Sequence, residues 1–470
     1  MALTDEFLTR LRQAFPVGTV YSDPADCWAY GCDNSKKHAL PDAVVFPVNH
    51  QEVLAVVRLC NEYRVPLTPR GRGTGTTGAV VPLEGGLMMS LERMNRIFEL
   101  APDNRFAVVE PGLTNQALQD ALKPLGFFWP PDPTSAAYCS IGGNLAYNSA
   151  GPRAVKYGTP RDNIFGLRAV TGDGRELRTG VYTSKGVVGL DLTRLIVGSE
   201  GTLAIITEAT LKLTPLAESV RTMRAVYASV DAATRAIARI MARPPAPCAL
   251  EFMDANAIEM IRQYSDVELP TGAGALLMIE VDGPLSGLDA AAAAIEQSAR
   301  VEGLLDFRIA HNKGEVDALW RTRKALSPAL RKIAPGKINE DVVVPVTELP
   351  ALINGLDKLS RHHGIPIVNF GHAGNGNIHV NLLLDPAKPG QQQKAEECLG
   401  EVFDLVLGLR GTLSGEHGIG LVKRDYVSRE LDAVSMDLMR AIKRQFDPNG
   451  ILNKGKMLPD VEATRCRRPE

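Results

Sequence analysis

The alternation of apolar and polar positions divides the chain into two regimes. In the first, residues 43–46 form a short apolar run that reads as a strand. Residues 50–63 carry apolar positions at helical spacing, and 65–68 read as a second strand, giving β-α-β. Strands are predicted near 86–91 and 106–110, a helix near 114–123, and strands near 166–170, 194–198 and 203–213. The opening MALTDEFLTRLRQAF reads as a short amphipathic helix without the apolar core of a signal peptide. From 129 to 163 the periodicity lapses into Pro, Gly, Ser and Asn, and so long a loop inside a compact domain is usually functional.

Around 215–220 the rhythm changes. Strands are predicted at 221–228, 275–281, 341–346, 365–370 and 377–384, and helices at 230–242, 286–300, 314–333 and 348–363. This is the pattern of an α+β domain with a largely antiparallel sheet and helices on one face. The last piece, 434–458, reads as a helix that stops at Asp447-Pro448-Asn449-Gly450, and the tail 461–470, outside the described residues, is expected from its polar composition to be loose. The expected division is 1–218, 219–425 and a C-terminal segment, 426–470, packing back on the first domain.

Composition narrows the function classes. With 470 residues, 45% hydrophobic and 23% charged, the chain is globular and long enough for two or three domains. A net charge of -2 gives no reason to expect a nucleic-acid partner. No window approaches 18 consecutive apolar residues, so no transmembrane helix is predicted. The seven cysteines are scattered and odd in number, which predicts reduced thiols and a cytoplasmic setting, with peripheral attachment to an inner membrane left open. Cys27 and Cys32 are close enough for a metal pair, but no second pair completes a site.

Three segments carry candidate binding chemistry. The loop 70-RGRGTGTTGA-79 contains a literal GxGxxG. A nicotinamide-dinucleotide fingerprint needs a helix to begin inside that loop, whereas here the chain runs into 80-VVPLEGG-86. A nest of backbone N–H groups wrapping a diphosphate is the better reading, with glycines permitting close approach and Arg70 and Arg72 able to add charge. A solvent-exposed loop is the plain alternative. The segment 141-IGGNLAYNSAGPRAVKYGTPRDNI-164 supplies Gly142, Gly143 and Gly151 for close approach, and Asn144, Asn148 and Ser149 for a polar heterocycle edge. The turn 198-GSEG-201 feeds a strongly apolar strand.

A separate constellation lies further on. Five of the eight histidines fall between 362 and 417. His372 and His379 sit in 369-NFGHAGNGNIHVNL-382, and Glu416 in 414-SGEHGIG-420. In one straight strand an odd spacing would put the two histidines on opposite faces, but the intervening Ala-Gly-Asn-Gly-Asn is a turn that can fold them together. Two histidines and a carboxylate make the usual composition of a catalytic metal site. The plain alternative is a polar hairpin and loop. His362 and His363 read as surface residues on a helix end.

The order and spacing of PRGRGTGTTG, PTSAAYCSIGGNLAYNSAG and VGSEGTLAIIT resemble the vanillyl-alcohol-oxidase-like FAD enzymes. The fold this implies is α+β: a two-subdomain FAD-binding domain, an α+β cap domain, and a C-terminal helix returning to the FAD domain. The resemblance implies that Pro69, Arg70, Gly71, Arg72, Gly73, Thr74, Gly75 and Thr76 surround the FAD pyrophosphate. It implies that Pro133, Thr134, Ser135, Gly142, Gly143, Asn144, Asn148 and Gly151, with Glu200, Gly201, Ile205 and Ile206, line the rest of the cofactor, and that Asn453 approaches the flavin edge. Many relatives attach FAD through a histidine near the glycine loop; none occurs between His50 and His311. Noncovalent FAD is therefore expected, with Cys139 a bystander.

The GHxGxGNxHxN and GEHG segments resemble the C-terminal domain of the D-lactate and D-2-hydroxyglutarate dehydrogenases and the FAD subunit of glycolate oxidase. The resemblance makes His372, His379 and Glu416 ligands of one divalent metal, with zinc ahead of manganese or iron. It makes Asn381 a substrate contact and His417 a general base. Asn375 stands where the family carries Asp. The segment 320-WRTRKALSPALRKIAPGKINEDVVVPV-346 resembles the same group and offers Arg323, Arg321 and Lys337 as partners for a substrate carboxylate. The implied activity is oxidation of a D-2-hydroxy acid with hydride transfer to flavin. Electrons then pass to a quinone, a cytochrome or an electron-transfer flavoprotein, and a homodimer or partner subunits stay open. Two other classes compete: a flavin-binding accessory subunit without chemistry, which would not need the His372, His379, Glu416 and His417 set, and an NAD-dependent enzyme, which would not be yellow.

Overall fold

The computed structural model describes residues 3–264, 269–324, 326, 330 and 333–459, with backbone alone at 264 and 322–324. The chain divides into two compact units. One comprises Met1–Gly151, Gly158–Leu216 and Glu416–Glu470; the other comprises Pro152–Tyr157 and Ala217–Gly415.

The first unit holds two larger sheets, besides the two-residue pairing of Phe127–Phe128 with Thr214–Pro215. Strands β1 (Val20–Tyr21), β2 (Ala43–Val45), β3 (Leu67–Arg70) and β4 (Leu87–Ser90) are ordered β1-β2-β4-β3, and the last three are parallel. Strands β5 (Ile97–Ala101), β6 (Phe106–Val109), β7 (Ile164–Thr171), β8 (Glu176–Gly180) and β9 (Ala204–Lys212) form an antiparallel sheet ordered β5-β6-β9-β7-β8. The helix His50–Tyr63 forms as expected: Asn49 caps its start, and its buried face of Val53, Leu54, Val56, Val57 and Cys60 recurs at helical spacing. That face joins Phe7 and Leu11 of the helix Asp5–Ala14, strand β2, and Val170 and Ile205 of the second sheet in one core. β3 is an edge strand, and residues 451–453 cover it. Leu67 N–H donates to the Ile451 carbonyl at 2.8 Å, and Asn453 N–H donates back to the Leu67 carbonyl at 2.9 Å. Lys443, on the helix Ala433–Phe446, fastens this return by donating to the carbonyls of Thr202 and Leu452 and to the Asp447 carboxylate.

Two expectations fail here. The segment 194–198 is not a strand: Leu192–Ile196 is a one-turn helix started by Asp191, whose carboxylate accepts Arg194 N–H at 3.0 Å. The long loop 129–163 contains the helix Ile141–Tyr147, capped by Ser140. Two consecutive glycines hide it from a propensity argument, but Ile141 and Leu145 are fully buried four residues apart and hold it in place.

The second unit is one seven-stranded sheet. Its strands are β10 (Ser219–Tyr227), β11 (Ala249–Asp254), β12 (Ala275–Gly283), β13 (Leu304–Ile309), β14 (Gly336–Val343), β15 (Ile367–His372) and β16 (Asn377–Leu384). They are ordered β13-β10-β12-β11-β15-β16-β14, every pair antiparallel. Helices cover both faces, not the one expected. Val230–Met241, Leu285–Ala299, Leu349–His363 and Gln391–Gly408 pack on one side. Ala255–Tyr264 and Lys313–Lys324 pack on the other, over Val226, Met253, Leu276, Met278, Val368, Phe370 and Leu383. The reason lies in the strands. β11 and β16 are buried at every residue, so neither face can be left to water. β11, β13, the helix Ala255–Tyr264 and the helix Gln391–Gly408 are elements the periodicity did not reveal. The short excursion Pro152–Tyr157 is held on this unit by Tyr157, whose hydroxyl donates to Asp282 at 2.6 Å.

Candidate active site

In the first unit the glycine loop 70–78 is held from outside by 32-CDNS-35. Asn34 N–H donates to the Gly75 carbonyl at 2.9 Å, and the Asn34 side chain donates to the Thr74 carbonyl at 3.1 Å. The Asp33 carboxylate accepts Gly78 N–H at 2.9 Å, and burial raises its pKa. Sequence reading passed over this clamp; its signal is the Asp-Asn-Ser turn composition. Arg70 is itself buried, donating to the Cys32 carbonyl at 2.6 Å over the Tyr30 ring, so its guanidinium shapes the loop. Arg72 is exposed.

The glycines have steric reasons. A Cβ at Gly71 would lie 2.3 Å from Ser140 Oγ, and one at Gly75 would lie 2.7 Å from the Tyr147 hydroxyl. Gly73, at φ +66°, would press a Cβ to 2.2 Å from the Arg70 guanidinium. Thr76 Oγ1 is buried without a protein partner among the described residues. A loop stripped of side chains, with an unsatisfied hydroxyl inside it, fits a bound diphosphate.

The other expected cofactor residues divide. Glu200 and Asn453 take positive φ, 54° and 47°. They meet where the Asn453 amide donates to the Glu200 carbonyl at 2.5 Å, and a Cβ on Gly201 would lie 2.8 Å from Pro69. Pro133 and Ser135 form turns, their carbonyls accepting Ala136 and Tyr138 N–H, and Thr134 is exposed between them. Gly142 packs against Pro111 and Gly151 against the Asp132 carbonyl. Asn148 accepts Arg161 N–H at 3.0 Å. Asn144, proposed for a heterocycle edge, is spent internally between Asn115 and Cys139. Ile205 and Ile206 fill two different cores. Cys139 is a buried thiol whose pKa burial raises.

From Glu416 onward the GEHG segment belongs to this unit as well, although its chemistry was expected from the second domain. Gly151 N–H donates to Glu416 Oε2 at 2.7 Å, and Thr77 Oγ1 donates to the His417 carbonyl at 3.3 Å. Leu421 N–H donates to the Thr77 carbonyl at 2.8 Å. Gly418, at φ +79°, touches Tyr147 and Glu200. Glu200 is buried and its pKa raised by that burial, yet it accepts Ile419 and Gly420 N–H at 2.6 and 2.7 Å. His417 thus lies beside the glycine loop. Lys456, another residue missed in sequence, is buried near these groups. It donates to Asn453 Oδ1 at 2.7 Å, and burial pulls its pKa down to about 7.

In the second unit the turn 373–376 folds β16 back on β15, so that His372 faces Asn377 and His379 faces Phe370. Cross-strand partners share a face, as do residues two apart. His372, His379 and Asn381 therefore stand on one face despite the odd spacing. The imidazole centroids are 5.2 Å apart and nearly perpendicular, and both rings are buried. Gly376 permits the turn, since at φ +71° a Cβ would strike the Val344 carbonyl at 1.9 Å. Next in register, Glu251 of β11 faces His372 and binds its Nδ1. A buried carboxylate on one ring nitrogen fixes the tautomer and turns the other nitrogen outward, as for metal-ligating histidines generally. Asp341 faces His379 across β14 and accepts Gly415 N–H at 2.6 Å, so the residue before Glu416 is anchored opposite His379. Asn381 is fully buried, with its Oδ1 unpartnered among the described residues. The donor set fits a divalent metal of the zinc, manganese or iron kind.

The carboxylate-binding candidates separate. Lys337 lies on β14 on the same face as Asn339 and Asp341, opposite Leu383. Arg321 is exposed on the helix Lys313–Lys324, and the Arg323 side chain is outside the described residues. Behind the sheet, Asp254 is buried with its carboxylate accepting Asn369 N–H and Nδ2 and Ala257 N–H; burial pushes its pKa up to about 7.

Known proteins share both halves. Residues 41–180 match the FAD binding domain, and residues 216–457 match the C-terminal domain of FAD linked oxidases. The chain is 39% identical over 419 residues to the glycolate oxidase subunit GlcD of Bacillus subtilis, covering 89% of each chain. It is 35% identical over 465 residues to the D-lactate dehydrogenase of Archaeoglobus fulgidus, covering 97% of this chain and 99% of that one. Among solved structures, p-cresol methylhydroxylase with substrate bound shares the fold with a TM-score of 0.79 at 18% identity, over 98% of both chains. The vanillyl-alcohol-oxidase type of fold expected from the motifs is thus the one found.

Proposed function

We propose that this chain, which belongs to the FAD-linked oxidases, oxidises a small D-2-hydroxy acid of the glycolate and D-lactate class to the 2-oxo acid with the help of a divalent metal, passing electrons to an acceptor other than NAD. The observation that carries the reading is the His372–His379 pair, held on one sheet face with Glu251 behind His372 and the open Asn381 amide oxygen beside it. An accessory flavoprotein has no use for such an arrangement. The names of the relatives support the substrate class, since they act on glycolate and D-lactate.

His372, His379 and Glu416 would hold the metal, and the 70–76 loop with Gly201 and Asn453 would hold FAD. When bound, flavin supplies a hydride acceptor and the metal supplies Lewis acidity at the substrate hydroxyl. The remaining roles fall to side chains. His417 takes the hydroxyl proton, the general-base work for which an imidazole nitrogen is suited. Asn381 orients the substrate by its amide. Lys337 is the carboxylate partner favoured by register: it lies two residues along the strand from Asn339, which faces Asn381, and a strand rises about 3.4 Å per residue.

The test is anaerobic reduction of the bound flavin by glycolate, D-lactate, L-lactate, D-2-hydroxyglutarate and D-malate, with and without chelator. Bleaching by one D-acid or glycolate, lost with chelator and restored by zinc or manganese, is the expected result. Metal-replete protein whose flavin no hydroxy acid bleaches sinks the reading. Lys337→Met should raise KM about tenfold, and Arg321→Met should leave it within about twofold.

A further inference from the structure

A second group of metal-ligating side chains lies in the sheet unit, on the helices that cover the sheet face opposite His372 and His379. The helix Leu349–His363 ends in His362 and His363, after which Gly364 turns left-handed at φ +63°. Adjacent residues on a helix diverge by roughly 100°, yet these two rings stand 4.8 Å apart, edge to face. The neighbouring helix Gln391–Gly408 contributes Glu401, whose Oε1 lies 3.1 Å from His363 Nε2. One ligand atom from each of His362, His363 and Glu401 lies within 4.8 Å of the others.

We propose that His362, His363 and Glu401 form a second divalent transition-metal site, which ties the C-terminal turn of one helix to the middle of the next. An ion pair between His363 and Glu401 accounts for two of the three groups; it gives no role to His362. Three independent features favour a cation. Two imidazoles with a carboxylate select zinc, nickel or copper over calcium and magnesium, which take oxygen ligands. The last turn of a 15-residue helix presents unsatisfied carbonyls and the negative end of its dipole. Glu401 is half-exposed and His362 exposed, so small rotamer changes suffice to reach the roughly 3.4 Å ligand spacing implied by zinc bonds of about 2.0–2.1 Å. Water completes the coordination, which leaves the ion exchangeable. No step of the oxidation passes through this site.

The test is zinc stoichiometry on the FAD-loaded full chain, stripped with chelator and re-equilibrated, for wild type, His362→Ala/Glu401→Gln and His379→Ala. Wild type should bind one zinc more per chain than the double variant, with zinc raising its melting temperature by a few degrees. The double variant should lose that equivalent, or bind it at least tenfold more weakly, while substrate bleaches its flavin at the wild-type rate. His379→Ala should retain the equivalent. Equal zinc content and affinity in wild type and the double variant overturn the proposal. A normal zinc count in His379→Ala leaves it standing and counts against the metal role of His379 instead, so the two readings fail separately.

Discussion

The glycine loop at 70–78 and the histidine hairpin at 369–382 are both turns between extended segments, built on opposite principles. In the first the side chains have been removed. Gly71, Gly73 and Gly75 leave no space for a Cβ, and what remains to meet a ligand is main chain and the Thr76 hydroxyl. In the second the main chain is ordinary antiparallel ladder, and its register decides which side chains converge. The first arrangement recognises by permission, since any residue other than glycine obstructs it. The second recognises by selection, since only particular residues on one sheet face supply ligands. A cofactor retained through the whole cycle suits the first, and a reacting centre suits the second.

The largest effect should come from emptying the hairpin. His372→Ala should keep its flavin and its yellow colour but lose substrate bleaching on the order of a thousandfold. A variant that loses flavin instead would erase the distinction between the two turns. Gly73→Ala should show the opposite phenotype. Its left-handed backbone costs about 1–2 kcal/mol for any L side chain and the Arg70 guanidinium stands in the way, so flavin affinity should fall ten- to a hundredfold, read from 450 nm absorbance after gel filtration. Reconstitution with excess FAD should restore its rate.

Glu251→Gln sharpens the comparison. Glu251 touches His372 and not the substrate, so the rate should fall about ten- to a hundredfold and excess zinc should recover much of it. A purely structural role would lower the melting temperature without responding to zinc.

Asp254→Asn should have the smallest effect and a distinctive pH profile. Burial raises the Asp254 pKa to about 7, so the native state keeps a proton that the unfolded chain releases near 4. Stability from this group is complete below about pH 4 and is lost as pH rises through 7. Asparagine gives up one acceptor, costing about 1–3 kcal/mol, but should remove this part of the pH dependence in denaturant melts between pH 4 and 8. A wild-type stability that rises across that interval, with the variant rising in parallel, would contradict this account.

The two regions also differ in how far they could be read without coordinates. The glycine loop was legible because its constraint is local: spacing within nine residues states where side chains are forbidden. The fold-back of His372 on His379 was legible for the same reason, since a short turn determines the register. Glu251 was not, because it lies 121 residues from His372 and reaches it through a strand order that no local pattern encodes. The Asp33 clamp on Gly78 spans 45 residues and was missed likewise. The helix Ile141–Tyr147 was hidden by its own glycines. Helices on both faces of the large sheet follow from burial that only the assembled strands reveal.

The pairing of Leu67 with Leu452 sets an order on synthesis. Strand β3 leaves the ribosome before the sheet unit, but the segment that closes its edge, residues 451–453, emerges after it. In the interval between, the whole sheet unit is made while an open parallel edge waits for its partner, the state in which strands recruit unwanted neighbours. The flavin-holding unit is therefore begun before the sheet unit and closed after it. A nascent chain stalled before Ile451 should carry a folded sheet unit and an unclosed first unit, exposed to chaperones and proteases until residues 451–453 dock.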